Sequence, residues 1–332
     1  MAAAARPTIE DVARRAGVGR GTVSRVLNGG SVSARSRERV EAAIAATGYR
    51  VSAAARSLAS GRAGAITALL SEPYDELFGD PTFASLLQGI ASELSGTDFA
   101  LNLLVATDED ERARAAAQLH PGRVDGIILL SPHLSEPILD VIARDVPVVA
   151  CSSARLDRAL AWTVAIDDRE GGRQGAQRLL ERGCRRIAVI GGPADAAGAL
   201  ARVEGQRDAL GDAFDEERLV HMPYSSRGGA EAMQRLLAHA PDIDGVLCAS
   251  DRQALGAFRI LHEDGRRIPE DVAVVGFDDH AIAAETTPAL TTVSQPIGQV
   301  GAAAARLLLE HLAGGAPQSL TLGTSLVVRD SA

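Results

Sequence analysis

Between residues 65 and 277 the chain alternates short, unbroken apolar runs with longer mixed segments. This rhythm restricts the fold more than any other feature of the sequence. The runs are AITALL (65–70), FALNLLV (99–105), GIILL (126–130), PVVAC (147–151), RIAVIG (186–191), GVLCAS (245–250) and DVAVVGF (271–277). Each has the length of a strand, and none alternates apolar with polar residues, so the sheets they build are covered on both faces. Helical stretches separate them at 82–95, 108–119, 135–144, 169–182, 202–214, 228–240 and 251–263. A β-α-β succession predicts parallel, doubly wound sheets with right-handed crossovers. There are too many units for one small sheet, so the expected fold class is α/β with two lobes and a cleft between them. A chain of 332 residues, 46% of them hydrophobic, readily supplies such a core and a small module besides.

The small module lies at residues 8–30, TIEDVARRAGVGRGTVSRVLNGG. Thr8 with Asp11 three residues on forms a capping box that starts a helix. Ala16-Gly17-Val18 breaks that helix with a glycine-centred turn. A second helix runs from about residue 20 to 28, with Val23, Val26 and Leu27 as one buried stripe. Arg20, Gly21, Ser24, Arg25 and Asn28 lie off the stripe and face outwards, and Gly29-Gly30 ends the helix. A third helix is expected over 33–47, with Val40 and Ile44 inward, Arg35, Arg37 and Arg39 outward, and Tyr49 packed back on the bundle. Two short helices joined by a tight turn, the second with an arginine-bearing outer face, read as a DNA-binding helix-turn-helix. A plain amphipathic helix pair with solvated arginines fits the same pattern.

The net charge of −9 argues at first against a nucleic-acid partner. Its distribution reverses the argument. Residues 1–62 hold 11 arginines and 4 acidic residues, a net of +7, whereas the remainder carries −16. A basic head on an acidic body concentrates the phosphate-seeking field at one end. Cys151, Cys184 and Cys248 are far apart in sequence and read as free thiols in a reducing cytoplasm. The seven histidines show no metal-ligand spacing, and no phosphate-binding loop or nucleophile elbow occurs, so no metal, cofactor or catalytic activity is expected. No apolar run approaches a membrane span, and the MAAAARP start lacks the basic and long apolar stretches of a secretion signal, so a cytoplasmic location is expected.

The run TIEDVARRAGVGRGTVSRVLN, with its A-G-V turn and T-V-S-R-V-x-N second helix, resembles the headpiece of the LacI/GalR family of transcription regulators. The resemblance extends through the rest of the chain. The G-V-G-R-G-T-V-S-R-V-L-N-G run and the segment SEPYDELFGDPTF look like cellobiose-type repressors of high-GC Gram-positive bacteria. The family fold implies a head at 1–51, a hinge helix and linker at 52–63, and a core at 64–332 like that of periplasmic sugar-binding proteins. The chain would cross three times between an N-lobe (64–164 and 294–319) and a C-lobe (165–293 and 320–332). LTTVSQP (290–296) matches the late crossover, and 297–313 a helix returning to the N-lobe. The chain stops at SLVVRDSA without leucine heptads, so a homodimer rather than a coiled-coil tetramer is expected.

The resemblance also implies which residues act. Arg20 and Arg25 would read guanines by bidentate bonds, giving G·C-rich half-sites of a pseudo-palindromic operator in double-stranded DNA. Gly21 would let the backbone approach closely, Thr22 and Ser24 would hold phosphates, and Asn28 completes the outer face. In the hinge, Ser52, Ala55 and Leu58 would meet the minor groove, with Leu58 as the wedge at the central base step. Taken alone, Leu58 reads as an ordinary packing leucine. Val51-Ser52 replaces the family's usual Pro-Asn pair. The effector would sit beyond the carboxyl ends of the strands, against Ser71, Ser152, Ser250, Asp251 and Asp278. Arg202, in the family's R-x-x-G pattern, would open a helix and grip sugar hydroxyls. Hydroxyls, carboxylates and one guanidinium suit a polyol. Phe83 in D-P-x-F and Tyr224 would cover its C–H faces, with Trp162 a further candidate; core packing is the competing reading for all three. Ser152 and Ser250 stand where well-known members carry aspartate and asparagine. Asp278-Asp279 reads as one ligand-facing and one structural carboxylate rather than as an acid/base pair. The function implied is a ligand-responsive repressor of carbohydrate-utilisation genes, with a β-glucoside or cello-oligosaccharide as effector. A transport-type sugar-binding protein would need a secretion signal and no head. A sugar-active enzyme would need a general acid or base with a partner.

Overall fold

The computed structural model describes residues 7–27, 29–49, 62–142, 146–152, 160 and 162–332. The chain divides into two units, Met1–Ala63 and Gly64–Ala332. In the first, α1 (Ile9–Ala16), α2 (Arg20–Leu27) and α3 (Ala34–Thr47) form a three-helix bundle. Each helix contributes one fully buried valine, Val12, Val23 and Val40, to a common core on which Tyr49 packs. The capping box at Thr8–Asp11 is complete, and Gly17 ends α1 in the left-handed conformation that glycine adopts without strain. Arg37 is drawn in rather than outward: it is half-buried and its Nη2 donates to the Gly30 carbonyl at 3.1 Å.

The second unit holds two six-stranded sheets. The first contains β1 (Ala65–Leu70), β2 (Ala100–Val105), β3 (Gly126–Leu130), β4 (Val148–Cys151), β5 (Thr163–Ile166) and β11 (Ser319–Leu322), in the order β11-β5-β4-β3-β1-β2. All its pairings are parallel. The second contains β6 (Ile187–Gly191), β7 (Leu219–His221), β8 (Gly245–Cys248), β9 (Ala273–Asp278), β10 (Thr291–Ser294) and β12 (Ser325–Val327), in the order β12-β10-β9-β8-β6-β7, with only β12 antiparallel. Both faces of each central strand are buried because helices cover both. In β1, Ile66, Ala68 and Leu70 join one apolar cluster and Leu69 joins another.

The first sheet is covered by α5 (Pro81–Leu94) and α13 (Ile297–Leu312) on one face, and by α6 (Glu109–Ala116) and α7 (Ile138–Val141) on the other. The short α4 (Tyr74–Gly79) precedes α5. The second sheet is covered by α8 (Asp168–Glu181) and α9 (Ala197–Leu210) on one face, and by α10 (Ser226–His239) and α11 (Asp251–Glu263) on the other. The five-residue α12 spans Ala281–Glu285.

Three differences from the sequence reading matter below. Arg202 does not open its helix. The alanine-rich stretch before it is helical too, as alanine's propensity allows, so Arg202 lies in the second turn of α9. The segment 290–296 is not only a linker, because β10 pairs in parallel with β9 from Thr291 to Ser294. The last passage between lobes falls between β11 and β12 rather than at 319/320, because Leu322 is still paired with Ile166 of the first sheet.

Candidate functional site

The cleft between the sheets has a volume of about 390 Å³ and lies beyond the carboxyl ends of strands from both lobes. Its charged centre is Arg202, 8% exposed. The α9 backbone carrying it lies hard against α8, where a Cβ on Gly172 would meet the Arg202 carbonyl oxygen at 2.0 Å. Arg202 Nε donates to Asp168 Oδ1 at 2.8 Å, and Nη1 donates to the Ala249 carbonyl. Nη1 lies 3.7 Å from Asp278 Oδ1, and the guanidinium sits 3.6 Å from the Phe277 ring centroid, a cation–π contact. Burial works against its charge, but Asp168, Tyr224 and Asp278 outweigh burial, so the guanidinium stays protonated.

Asp278 ends β9 at φ 111°, an unusual conformation for a non-glycine residue, and it turns its carboxylate into the cleft. Gln295 Nε2 donates to its Oδ1. Burial raises its pKa well above the ordinary aspartate value, and Arg202 opposes the rise. Asp279, at φ 59°, turns instead to Arg329, which donates to it at 2.6 Å. Tyr224 packs against Gly192, where a Cβ would collide with the hydroxyl end of the ring, and burial pushes its phenol up. Phe83 and Ser152 line the first lobe's wall, beside Cys151, whose thiol burial pushes up to about 12.

Arg202, Asp278, Tyr224, Phe83 and Ser152 therefore meet in one cleft. Four other candidates do not line it. Ser71 Oγ donates to the buried Glu136 at 2.8 Å. Ser250 is the N-cap of α11 and accepts from Gln253 N. Asp251 is wholly buried: its carboxylate accepts from Thr292 Oγ1 at 2.5 Å and from His280 N at 2.8 Å. Burial raises the Asp251 pKa to about 7, with those two hydrogen bonds opposing. Trp162 is a core residue, 3% exposed and stacked on His311 of α13 at 4.7 Å between ring centroids.

Sequence reasoning missed Gln295 and the carboxylates Glu72, Glu76, Asp80 and Asp168, all of which face the cleft. Asp80 stood inside the D-P-x-F motif, where its N-cap role for α5 hid its second role. Two sets of contacts tie the lobes together at the cleft. His133 Nε2 lies 3.1 Å from Glu72 Oε1, and its Nδ1 is 3.0 Å from Asp195 Oδ2, an ion-pair distance without hydrogen-bond geometry. The hydrogen bond to Glu72 and the charges of Glu72 and Asp195 push the His133 pKa up to about 9 against the effect of burial. Separately, Arg252 Nη1 of α11 reaches Glu76 Oε2 at 2.8 Å and Asp80 Oδ2 at 3.1 Å. Among the described residues no cluster of three His, Cys, Asp or Glu side chains is placed to hold a metal ion. No helix among them is long and apolar enough to cross a membrane.

In the first unit, Arg20, Gly21 and Arg25 of α2 are exposed, and Thr22 and Ser24 are half-buried. Arg25 Nε donates back to the Gly21 carbonyl at 3.3 Å. Asn28, Ser52, Ala55 and Leu58 lie outside the described residues.

A short helix exposing arginines, and a two-lobed sheet core with a polar cleft, are the parts that a DNA-binding regulator responsive to a small molecule requires. Residues 8–52 match the model of bacterial regulatory proteins of the lacI family, and residues 176–332 match that of the periplasmic binding protein-like domain. The HTH-type transcriptional regulator CelR of Thermobifida fusca is 41% identical over 334 residues, 98% of each chain. The HTH-type transcriptional repressor PurR of Escherichia fergusonii is 32% identical over 98% of this chain and 96% of its own. Among solved structures, a CelR–cellobiose complex superposes with a TM-score of 0.79 at 40% identity, covering 98% of this chain and 100% of that one. A lac repressor dimer bound to operator and the anti-inducer ONPF gives 0.86 at 28% identity, covering 98% and 99%. The chain belongs to the lacI family of bacterial regulatory proteins, and it is a DNA-binding transcription regulator rather than an enzyme.

Proposed function

We propose that this protein is a cytoplasmic, homodimeric repressor of carbohydrate-utilisation genes whose operator affinity changes when a sugar occupies the cleft. The head is residues 1–51, the hinge 52–63 and the effector core 64–332. The observation that carries the sugar reading is the cleft's composition. A fixed guanidinium donates, Asp168 and Asp278 accept, and the faces of Tyr224 and Phe83 cover apolar C–H surface. The cellobiose complex of CelR, a relative matched over its whole length, supports a β-glucoside or cello-oligosaccharide effector.

On the DNA, two recognition helices of a dimer occupy successive major grooves of a pseudo-palindrome with G·C-rich half-sites. Arg20 and Arg25 read guanine, Gly21 and Asn28 flank them, Thr22 and Ser24 hold phosphates, and Ser52, Ala55 and Leu58 engage the minor groove.

The first experiment is a melting-temperature series with mono-, di- and oligosaccharides. A sugar at about 100 times its dissociation constant stabilises the folded state by about 2.7 kcal/mol. A shift confined to β-glucosides identifies the effector class, and an operator titration with that sugar then gives the sign of the response. No shift with any sugar removes the sugar reading. Equal operator discrimination by Arg25→Ala and the parent protein removes the assignment of the reading helix.

A further inference from the structure

Arg252 does not line the cleft, yet it joins the two lobes through Glu76 and Asp80, which do. It is the second residue of α11, on the second lobe, and the start of that helix is firmly held. Ser250 caps it, and the buried Asp251 carboxylate accepts from Thr292 and from the His280 backbone. From this base a single nitrogen, Nη1, reaches Glu76 at 2.8 Å and Asp80 at 3.1 Å on the first lobe. The side chains of Arg252, Glu76 and Asp80 are 18%, 24% and 10% exposed, so solvent and salt screen this contact only partly. His280 adds a neighbouring contact between the lobes, with its Nε2 3.1 Å from Thr82 Oγ1.

We propose that Arg252 is a positioning residue for effector binding, an inter-lobe clasp that holds Phe83 over a ligand seated on Arg202 and Asp278. The inference rests on the sugar reading of the cleft. Its route is short. Asp80 Oδ2 meets Arg252, while Asp80 Oδ1 caps α5 through Thr82 N at 2.8 Å. Phe83 lies in the first turn of that helix and forms part of the first lobe's wall. Fixing Asp80 to the second lobe therefore fixes the Phe83 wall relative to the floor. Without the guanidinium, the attraction across the lobes is lost and Glu76 and Asp80 stay largely buried without their cation, so separating the lobes, which rehydrates them, is favoured. A ligand that needs both walls binds in proportion to the closed fraction, so a fall of the closed population to about a tenth weakens apparent affinity about tenfold. Because one nitrogen serves both carboxylates, a lysine ammonium restores the clasp and an uncharged side chain of similar length does not.

The test compares full-length wild type, Arg252→Met and Arg252→Lys by calorimetric titration with cellobiose. In parallel, amide hydrogen exchange of residues 77–85 is followed without sugar. The expected result is about tenfold weaker binding in Arg252→Met and a Kd within about threefold of wild type in Arg252→Lys. Exchange at 77–85 accelerates in the methionine variant alone. Wild-type affinity in Arg252→Met, or equal loss in both variants, overturns the clasp. If wild type itself binds no cellobiose, the sugar reading fails for that ligand. The exchange data then decide the clasp separately: faster exchange in Arg252→Met alone upholds it, and unchanged exchange overturns it.

Discussion

Arg202 and Asp278 sit 3.7 Å apart in the same cleft, yet their loss has opposite consequences for stability. Replacing Arg202 by Met leaves Asp168 and Asp278, both buried, without their cation. Breaking a buried pair in this way costs about 3–5 kcal/mol, so Arg202→Met is expected to melt well below wild type and to lose sugar binding. Asp278 is different, because burial works against its charge and raises its pKa well above the ordinary aspartate value. Asparagine is neutral and tolerates positive φ better than most residues. Asp278→Asn is therefore expected to melt within about 1 kcal/mol of wild type while binding sugar more weakly, since the amide offers one acceptor oxygen where the carboxyl group offers two. Thermal melts and sugar titrations of both variants check the pair; equal destabilisation would contradict this contrast. His133 gives a pH prediction of defined sign. Its pKa rises from the ordinary 6.5 to about 9 in the folded protein, so its contribution is complete below about 6.5 and is lost as pH climbs through 9. Wild type should lose more stability than His133→Gln between pH 6.5 and 9.5, and parallel melting curves would refute this. The same scale explains which site residues were legible in the sequence. Position at a strand end was readable for Ser71, Ser152, Ser250, Asp251 and Asp278, but not the direction of each side chain. Ser250 and Asp251 turned to helix capping and to backbone support, which the sequence pattern does not separate from ligand contact.

At the scale of elements, three helix pairs cross at reciprocal glycines. A Cβ on Gly89 or Gly301 would strike the partner backbone between α5 and α13, as would one on Gly229 or Gly256 between α10 and α11. Between α8 and α9 the pair is Gly172 and Gly205, whose Cβ atoms would lie 2.0 and 1.8 Å from the carbonyl oxygens of Arg202 and Arg169. This last crossing places Asp168 beside Arg202, so it sets the cleft's charged centre. Gly172→Ala must push α9 away at Arg202 itself. Overpacking of this kind costs about 1–3 kcal/mol, and here it should weaken sugar binding as well. Gly126→Ala, at the amino end of β3 and away from the cleft, where the added Cβ meets the Leu308 side chain, should cost stability with affinity unchanged; melts and sugar titrations of both variants test the contrast. The buried strands were legible because long apolar runs covered on both faces have few alternative uses. The strands β5, β7, β10, β11 and β12 have three or four residues each and were not. Thr291-Thr292-Val293-Ser294 reads as linker until β9 is present to pair with it. Among the described residues of the helix expected over 135–144, Ile138–Val141 is the regular part, after Pro137.

The whole molecule carries opposite charge in its two units, 11 arginines against 4 acidic residues in 1–62 and a net of −16 in the rest. That arrangement keeps the electrostatic attraction for DNA in the head, and leaves a cleft lined by carboxylates that a neutral polyol satisfies without charge transfer. On the proposed reading, operator and sugar compete for no common group, and any influence of one on the other must pass through conformation. Such coupling is reciprocal: if sugar changes operator affinity by a factor, operator changes sugar affinity by the same factor. A coupling of about 1–3 kcal/mol corresponds to roughly 5–150-fold. The expected outcome is that sugar Kd measured with and without saturating operator differs by the same ratio as operator Kd measured with and without saturating sugar. This equality holds whether the sugar releases the repressor or recruits it, so it tests the mechanism without presupposing the sign. Sugar that shifts operator affinity while operator leaves sugar affinity unchanged would break the linkage. The sugar effect would then come from a change in assembly state, visible as a concentration dependence of operator binding, and not from the cleft acting on the head within one dimer.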